Sequence, residues 1–600
     1  MIGTQPPRLT AEEEAVEGEL AAAVIDTLLR EDYAGLSRRV RTAAGGPVLD
    51  LPGGRDLVLP LRADGFLTEL RIARPGPALT LGDVAAAVEA IGDAPDAEGV
   101  AAFGVECAQA LAALRLRRRH LPAVRATLRQ ADPGGWLGAG GAVRYDALAA
   151  AMPHPAYPTA ACRLGFSDED SLRYAPEYRP EFELNWVAIP RPAIQAARSG
   201  RPAWWPEMAA VGLPASLAAT HDLMPVHPLT ARLALAGALA EAGGVAEAGG
   251  GGDRLAGAVI APGRWLRVRP TLSTRTVAVA DDPGAHLKLP LPVSTLGLRN
   301  RRALAPGTLA DGALVHQLLA DCGNGDAGLG GLLLADDGDF AHAGHPFLGY
   351  LLRRLPGGLH RCRIVPVAAL LAPSGEPSRT GRRVGGLVVD DLAGDGFGGD
   401  PLAFFGAYLD LLFDVQVRLF VRYGIALESH QQNAAVVLRP DGELRLLVKD
   451  FDGALINHGR LAASLGQTLG PTLGPAAPGP SEFADPRLLT GSDDALADVF
   501  ITISVHLCAG AIAFGLAELR YAPLAELLAL IRRALTGALD RYADDPAARV
   551  LRARVLEADR LPGKAMVTAG TLRDSSRTGA RDINKFYGTS GPNYLRAVCR

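Results

Sequence analysis

Groups able to do chemistry are densest between Glu428 and Gly453, which reads ESHQQNAAVVLRPDGELRLLVKDFDG. Glu428, His430, Gln432 and Asn433 precede two short apolar runs, Ala434 to Leu438 and Leu444 to Val448, and Asp450 and Asp452 follow them. Pro440-Asp441-Gly442 between the runs is strong turn chemistry, so the stretch predicts an antiparallel hairpin. Pairing around that turn returns Asn433 to the side of Lys449 and Asp450. Carboxylate and amide oxygens gathered in this way suit Mg²⁺, whose octahedral shell substrate phosphates usually complete. On these residues alone, a surface hairpin with solvated polar flanks explains the pattern equally well.

A second stretch runs from Arg269 to Arg302, RPTLSTRTVAVADDPGAHLKLPLPVSTLGLRNRR. Ser273, Thr274, Arg275 and Thr276 lead into an alternating strand, Asp282-Pro283-Gly284 turns the chain, and His286 to Leu291 returns with Lys288. Guanidinium forks, an ammonium and hydroxyls together suit a triphosphate, with Arg275, Lys288 and Arg299 as the cations. A polar hairpin with scattered basic residues is the plain alternative. Four anion-binding groups on one hairpin and its exit favour a function. Two further segments, MPHPAYPTAACRLGF with His154, Tyr157 and Arg163, and MPVHPLT with His227, hold histidines beside prolines, which are more often structural than catalytic.

These groups need elements to position them. At 600 residues and 48% hydrophobic content the chain can bury large cores in two to four subdomains. Residues 1–150 read as mostly helical: Thr10 and Glu13 form a capping box before a helix ending near Arg30, and helices over Leu81 to Ile91 and Val100 to Arg119 flank an acidic turn. Short strands are expected near Pro47 to Leu51 and Arg55 to Leu61. The basic run Arg115 to His120 reads as a solvated helix face. Residues 151–395 turn to short runs of Pro, aromatic and β-branched residues, as in a strand-rich region. Within them Gly243 to Gly252 and Asp321 to Asp339 read as exposed loops, and Asp390 to Asp400 as a turn-rich segment. From 396 to 600 the pattern is helical. Phe404, Phe405, Tyr408, Leu412, Val415 and Leu419 mark one buried face, and further helices are expected over Ala495 to Glu518 and Leu524 to Tyr542.

Composition excludes some classes. A net charge of −4 leaves no global basic field for nucleic acid. Six scattered cysteines without paired spacing argue against a zinc ribbon or a disulfide framework and fit a reducing cytosol. No basic region followed by an apolar run opens the chain, and Asp410, Asp414 and Arg418 interrupt the apolar helix Pro401 to Tyr423. A cytoplasmic protein without a membrane span is therefore expected.

Taken together, the motifs resemble the IucA/IucC-type siderophore synthetases that work independently of nonribosomal peptide synthetases. PTLSTRT is similar to that family's Ser-x-Arg-Thr phosphate motif. HLKLPLPVSTLGLR is similar to its Lys strand and downstream Thr/Arg, and ESHQQN with KDFDG to its metal and nucleotide motifs. The resemblance covers most of the chain. It implies an α+β cupped-hand fold: a helical N-terminal thumb (1–150), β-rich fingers (151–395), and a mainly helical palm (396–600) with an FhuF-like C-terminal region. ATP would lie between fingers and palm. Carried over, Ser273, Thr274, Arg275, Thr276, Lys288, Arg299, His430, Gln432, Asn433 and Asp450 bind ATP, and Glu428, Asn433 and Asp450 hold Mg²⁺. His154, Tyr157, Arg163, Thr295 and Arg299 face the acyl substrate. Arg275, Lys288, His430 and His154 are the catalytic candidates.

One element departs from the family. Its His-Pro-x-His-Pro-x-x-Lys appears here as HPAYPTAA, with Tyr157 and Ala161 where the second His and the Lys would stand, which puts citrate in doubt. The implied reaction is adenylation of a carboxylic acid and its condensation with an amine, hydroxylamine or alcohol, by a chain that a homodimer would suit. Competing readings are a phosphotransferase, because Glu428 and Asn433 followed by a hairpin and DFDG mimic the spacing of a kinase catalytic loop, hairpin and metal-binding Asp, and a catalytically altered ATP-binding relative acting on a non-citrate acid.

Overall fold

The computed structural model describes residues 11–55, 57–74, 78–130, 133–197, 200–244, 255, 257–375, 386–468, 479–578 and 585–596. Thr10 of the expected capping box and most of the Gly243 to Gly252 run lie outside the described residues.

The first helix, Ala11–Arg30, buries Leu20, Val24 and Leu28 at four-residue spacing against helices Leu81–Ile91 and Ala97–Arg129. A four-stranded antiparallel sheet accompanies them: Val40–Ala43, Gly46–Leu51, Leu57–Ala63 and Leu70–Ile72. Its outer strands were missed in the sequence because each is only three or four residues long and half-exposed. The basic run is not a plain solvated face, since Arg115 bonds Glu17 and Arg117 donates to the Ala150 carbonyl at 3.0 Å.

A nine-stranded sheet forms the middle of the molecule. At its centre Thr276–Val279 pairs with Ala285–Lys288, which pairs in turn with Leu348–Arg354. Because side chains alternate along a strand, Thr276, His286, Lys288 and Arg353 emerge on one face, while Val277, Val279 and Leu287 enter the core on the other.

The segment Asp321 to Asp339, expected to be an exposed loop, is largely ordered. Helix Pro306–Gly325 runs into it, strand Leu332–Leu334 joins a second sheet, and strand Asp336–His345 follows. Glycine and aspartate hid a strand whose register shifts between Asp336 and Asp339. Bulges of this kind re-aim side chains, and Asp337 is turned inward. Asp390 to Asp400 likewise begins as helix Val388–Gly396.

The expected hairpin is present as Ala434–Leu438 and Leu444–Val448, with Ala434 opposite Val448 and Leu438 opposite Leu444. Leu332–Leu334 lies parallel on one side and Arg363–Pro366 antiparallel on the other, so what reads as an isolated hairpin is the centre of a four-stranded sheet. This sheet packs on helix Pro401–Arg418, whose Phe404, Phe405, Tyr408, Leu412 and Val415 are all buried as their spacing predicts. Helices Asp493–Phe500 and Ala511–Glu518, joined by a π-helical stretch, complete the largest core with Leu524–Asp540. Two described helices, Ala94–Arg129 and Asp493–Glu518, are long and apolar enough to cross a membrane, but 78% of the second one's apolar window is inside this core.

Candidate active site

The inward face of the central sheet meets the base of the hairpin in a seam of charges. Lys288 Nζ lies 2.5 Å from Asp450 Oδ1 and 2.9 Å from Asp452 Oδ2. Arg353 grips Asp337 with two nitrogens at 2.5 and 2.7 Å and reaches Asp450 at 3.3 Å. Asp450 itself has φ +70°, a left-handed conformation rare for a residue with a side chain. That turn sends its backbone N–H to Asp337 Oδ2 at 3.1 Å while its carboxylate faces Lys288. Backbone strain of this sort collects at functional sites. Burial opposes ionisation of Asp450, but Lys288, Arg353 and Arg275 outweigh it and hold the carboxyl well below its usual range. Arg302, buried beside Arg275, is pushed down to about 9 despite the pull of Asp450 and Asp452.

The segment before the hairpin forms the next wall. Glu428 Oε1 accepts from Lys564 Nζ at 3.1 Å. Burial works against its charge, and Lys564 leads the groups that hold it below the ordinary value. His430 Nδ1 accepts from the Gln432 backbone N–H at 3.3 Å, and His154 Nδ1 from that of Ala156 at 3.1 Å. Burial keeps both rings neutral, His154 at about 3 with His430, Arg30 and Lys564 adding to the effect. A neutral imidazole that accepts at Nδ1 carries its proton on Nε2, so each ring presents a donor at that atom. Asn433 closes the group, its carbonyl accepting from the Lys449 N–H at 3.0 Å as the pairing argument requires.

The remaining candidates are spread around this centre. Ser273 Oγ accepts from the Thr276 N–H at 3.1 Å and shapes the turn, Thr276 pairs with Lys288 across the strands, and Arg275 donates to the Ala303 carbonyl at 2.7 Å. Thr274, at φ +65°, accepts from Arg163, whose guanidinium is otherwise clasped by Glu177 at 2.8 Å on both nitrogens. Thr295 accepts from Arg302. Arg299 points to the carbonyls of Ala569 and Thr571, at 3.3 and 3.0 Å, where Gly297 at φ +110° and Gly570 approach so closely that a Cβ on Gly297 would fall 2.9 Å from the Gly570 Cα. Tyr157 is in the N-terminal core, 1% exposed, its hydroxyl donating to Glu106 at 2.9 Å. The structure therefore gathers Arg275, Lys288, Asp450, His430, Asn433 and Glu428, and sets Tyr157, Arg163 and Arg299 on the supporting frame.

Arg353, Asp337, Arg302, Arg30 and Lys564 were not singled out from the sequence. A signal for some of them was there: the chain has only four lysines, Lys288, Lys449, Lys564 and Lys585, against many arginines. All four act here. Lys288 bonds Asp450, Lys564 bonds Glu428, the charge of Lys585 acts on Glu428, and that of Lys449 on Asp146 and His286. Compact ammonium groups suit a site where a point charge must shift between partners, which a rigid guanidinium does less readily.

Among the described residues no three His, Cys, Asp or Glu side chains form a ready-made metal cluster. Glu428, Asn433, Asp450 and Asp452 nonetheless supply the hard oxygens that Mg²⁺ takes. Each of the three carboxylates is engaged by an ammonium, Lys288 or Lys564, standing where a cation belongs.

Two family models match this chain. The model described as "IucA / IucC family" covers residues 144–372, and the one described as "Ferric iron reductase FhuF-like transporter" covers residues 402–581. The first holds the Lys288 strand and the second the hairpin, so the seam joins the two matched regions. The resemblance read from the motifs is thus met by the IucA/IucC model over residues 144–372. Among curated relatives, the rhizobactin siderophore biosynthesis protein RhbC of Rhizobium meliloti (strain 1021) is 28% identical over 350 residues, 52% of this chain and 54% of that protein. The chain thus matches about half the length of that relative. Among solved structures, the petrobactin biosynthesis protein AsbB of Bacillus anthracis str. Sterne superposes with a TM-score of 0.72 at 14% identity, covering 98% of this chain and 97% of that one. The aerobactin synthetase IucC of Klebsiella pneumoniae gives 0.69 at 19% identity, covering 98% and 99%. The ATP-bound aerobactin synthetase IucA from the same organism gives 0.64 at 16%, covering 96% and 99%. At these identities the likeness is one of fold, and the chain has the α+β architecture of these synthetases.

Proposed function

We propose that this chain is an ATP-dependent ligase of siderophore or related natural-product biosynthesis, joining a carboxylic acid to an amine, hydroxylamine or alcohol through an acyl adenylate. The observation that carries the reading is the seam itself: Lys288 from one matched region held between Asp450 and Asp452 from the other, with Arg275, Arg302 and Arg353 around it. RhbC's part in siderophore biosynthesis and the ATP bound by the structurally similar IucA support it.

In this reading the substrate carboxylate attacks the α-phosphorus of ATP, pyrophosphate leaves, and the nucleophile then displaces AMP from the acyl carbon. Charge develops on phosphoryl oxygens, so fixed cations rather than a protein nucleophile meet the demand. Arg275, Lys288 and Arg302 supply them. Glu428, Asn433 and Asp450 would hold Mg²⁺, which screens the phosphate charge when bound. With a metal held by Asp450, the Lys288 ammonium would be free to turn to the phosphates. His154 and His430, neutral with protons on Nε2, act as donors to acyl or phosphoryl oxygens. Arg30 and Lys564, which face His154, provide positive charge on the acyl side where Tyr157 and Ala161 do not.

The test incubates the chain with ATP and a panel of acids, citrate and 2-oxoglutarate among them, each with a set of amines. AMP and pyrophosphate formed only with a matching acid support the reading. ADP as the product would overturn it in favour of a phosphotransferase.

A further inference from the structure

A cavity of about 290 Å³ lies on the same face of the central sheet as Lys288, but its lining includes none of Lys288, Arg353, Asp450 or Asp452. It is bounded by helix Gly138–Ala150, by the end of the short turn Pro176–Tyr178, and by strands Trp265–Pro270 and Thr276–Val279. Three arginines from three separate elements line it: Arg144 from the helix, Arg179 just past the turn, and Arg269 from the strand, where it sits opposite Ala278. The rest of the wall is apolar, with Leu137, Val143 and Pro283 prominent.

Such convergence needs an explanation. Like charges facing one another across a partly desolvated space raise each other's cost, and natural proteins keep such groups when an anion completes them. Glu181 answers Arg269 at 2.6 Å but also serves Arg267 at 3.0 Å. Arg179 has no carboxylate partner among the described residues, and burial together with Arg144 and Arg269 lowers its pKa. Its backbone is fixed at φ +56°, a left-handed turn that brings its side chain to the cavity instead of continuing the preceding helix. Gly135 contributes as well, because a Cβ there would collide with the Arg144 guanidinium. The space is therefore shaped around its cations.

We propose that this cavity is a second anion site, separate from the seam of Lys288 and Asp450, that takes a small polyanion through the guanidiniums of Arg144, Arg179 and Arg269. Carboxylate and phosphate groups share the bidentate geometry a guanidinium fork recognises. The apolar walls favour a short carbon skeleton, and the volume admits a ligand smaller than a nucleotide, at the low end of small-molecule pockets. A tricarboxylic acid and inorganic phosphate or pyrophosphate are the sources to separate. Occupancy would tie helix Gly138–Ala150 to the hairpin that carries Lys288, so a bound anion would stiffen the sheet face that the seam uses.

Isothermal titration of the full chain with citrate, inorganic phosphate and pyrophosphate tests this without requiring turnover, so it stands or falls apart from the ligase reading. Wild type should bind at least one of them saturably. Arg179→Asn, which tolerates the left-handed backbone, should weaken that binding about tenfold or more, since a charge-assisted contact is lost. Arg269→Gln should do the same, and the binding event that these two variants weaken should persist in Arg275→Ala, which removes only the seam's own hold on phosphate. A thermal melt of each variant checks folding. The proposal is overturned if none of the three anions binds, if Arg179→Asn and Arg269→Gln both bind as wild type does, or if Arg275→Ala abolishes binding, which would place the anion at the seam.

Discussion

Asp450 and Glu106 are both carboxyl groups withdrawn from water, and they meet the cost in opposite ways. Asp450 stays charged: burial opposes it, but Lys288 and Arg353 hold its pKa far below the usual range. Glu106 has no cation among the described residues. Its two oxygens take hydroxyls from Thr159 at 2.5 Å, Thr571 at 2.7 Å and Tyr157 at 2.9 Å, and burial raises its pKa in spite of them. A carboxylate kept ionised by a lysine can exchange one cation for another. A carboxyl held by hydroxyls is a structural joint, here tying helix Ala97–Arg129 to the segments that carry Tyr157 and Thr571. The Tyr157 position, read from the sequence as part of an acyl pocket, belongs to the second kind.

Removing charge from each group should separate the two. Lys288→Met leaves Asp450 and Asp452 facing each other without their shared cation. Breaking a pair of this kind costs about 3 kcal/mol or more, and ATP-dependent pyrophosphate release should fall below detection. A melt in which the variant equals wild type would place no weight on the seam. Asp450→Asn keeps the shape and removes the charge. Activity should drop at least about a hundredfold, in line with loss of a charge-stabilising group, while circular dichroism stays native.

His227 tests burial without a partner. Its ring is packed edge-on between Tyr174 and Phe182 and caps the Leu229 N–H, and burial pushes its pKa down to about 3. A depressed histidine stabilises the fold above its unfolded value and loses that contribution as pH falls towards the folded one. The stability gap between wild type and His227→Asn, measured by denaturant titration, should therefore shrink by about 3 kcal/mol between pH 7 and pH 4.

Glu106→Gln should show the opposite sign. A raised carboxyl loses stability as pH climbs above the unfolded value, so wild type should lose ground to this variant on going from pH 5 to pH 8. A gap that widens instead would mean that Glu106 is ionised and paired like Asp450. Smallest of all, Tyr157→Phe removes one of three donors and should cost about 1 kcal/mol with little change in KM for the acid. A large rise in KM would return Tyr157 to the acyl pocket.

Much of the site was legible in the sequence because its parts are local. Pro440-Asp441-Gly442 and Asp282-Pro283-Gly284 are turns whose chemistry is written in three residues, and each brings the groups on either side of it together. The buried face of helix Pro401–Arg418 follows from its period. Asp337 was hidden for the converse reason, since a strand that opens with aspartates and a glycine looks like a loop until its neighbours cover it. The four lysines could have been read, as their rarity singles them out before any fold is known.

Residue types, turns and periodicity thus determined by themselves the two hairpins, the cations and carboxylates at their ends, and the resemblance to the IucA/IucC family. Only the tertiary structure decided which partner meets which carboxylate: Lys288 with Asp450 across 162 positions, Lys564 with Glu428 across 136, Arg353 with Asp337, and Tyr157 with Glu106. Local chemistry is set by neighbours along the chain. Pairing and burial depend on sheets and helices meeting through long-range packing, and it is the partners met there that hold Asp450 charged while burial raises Glu106.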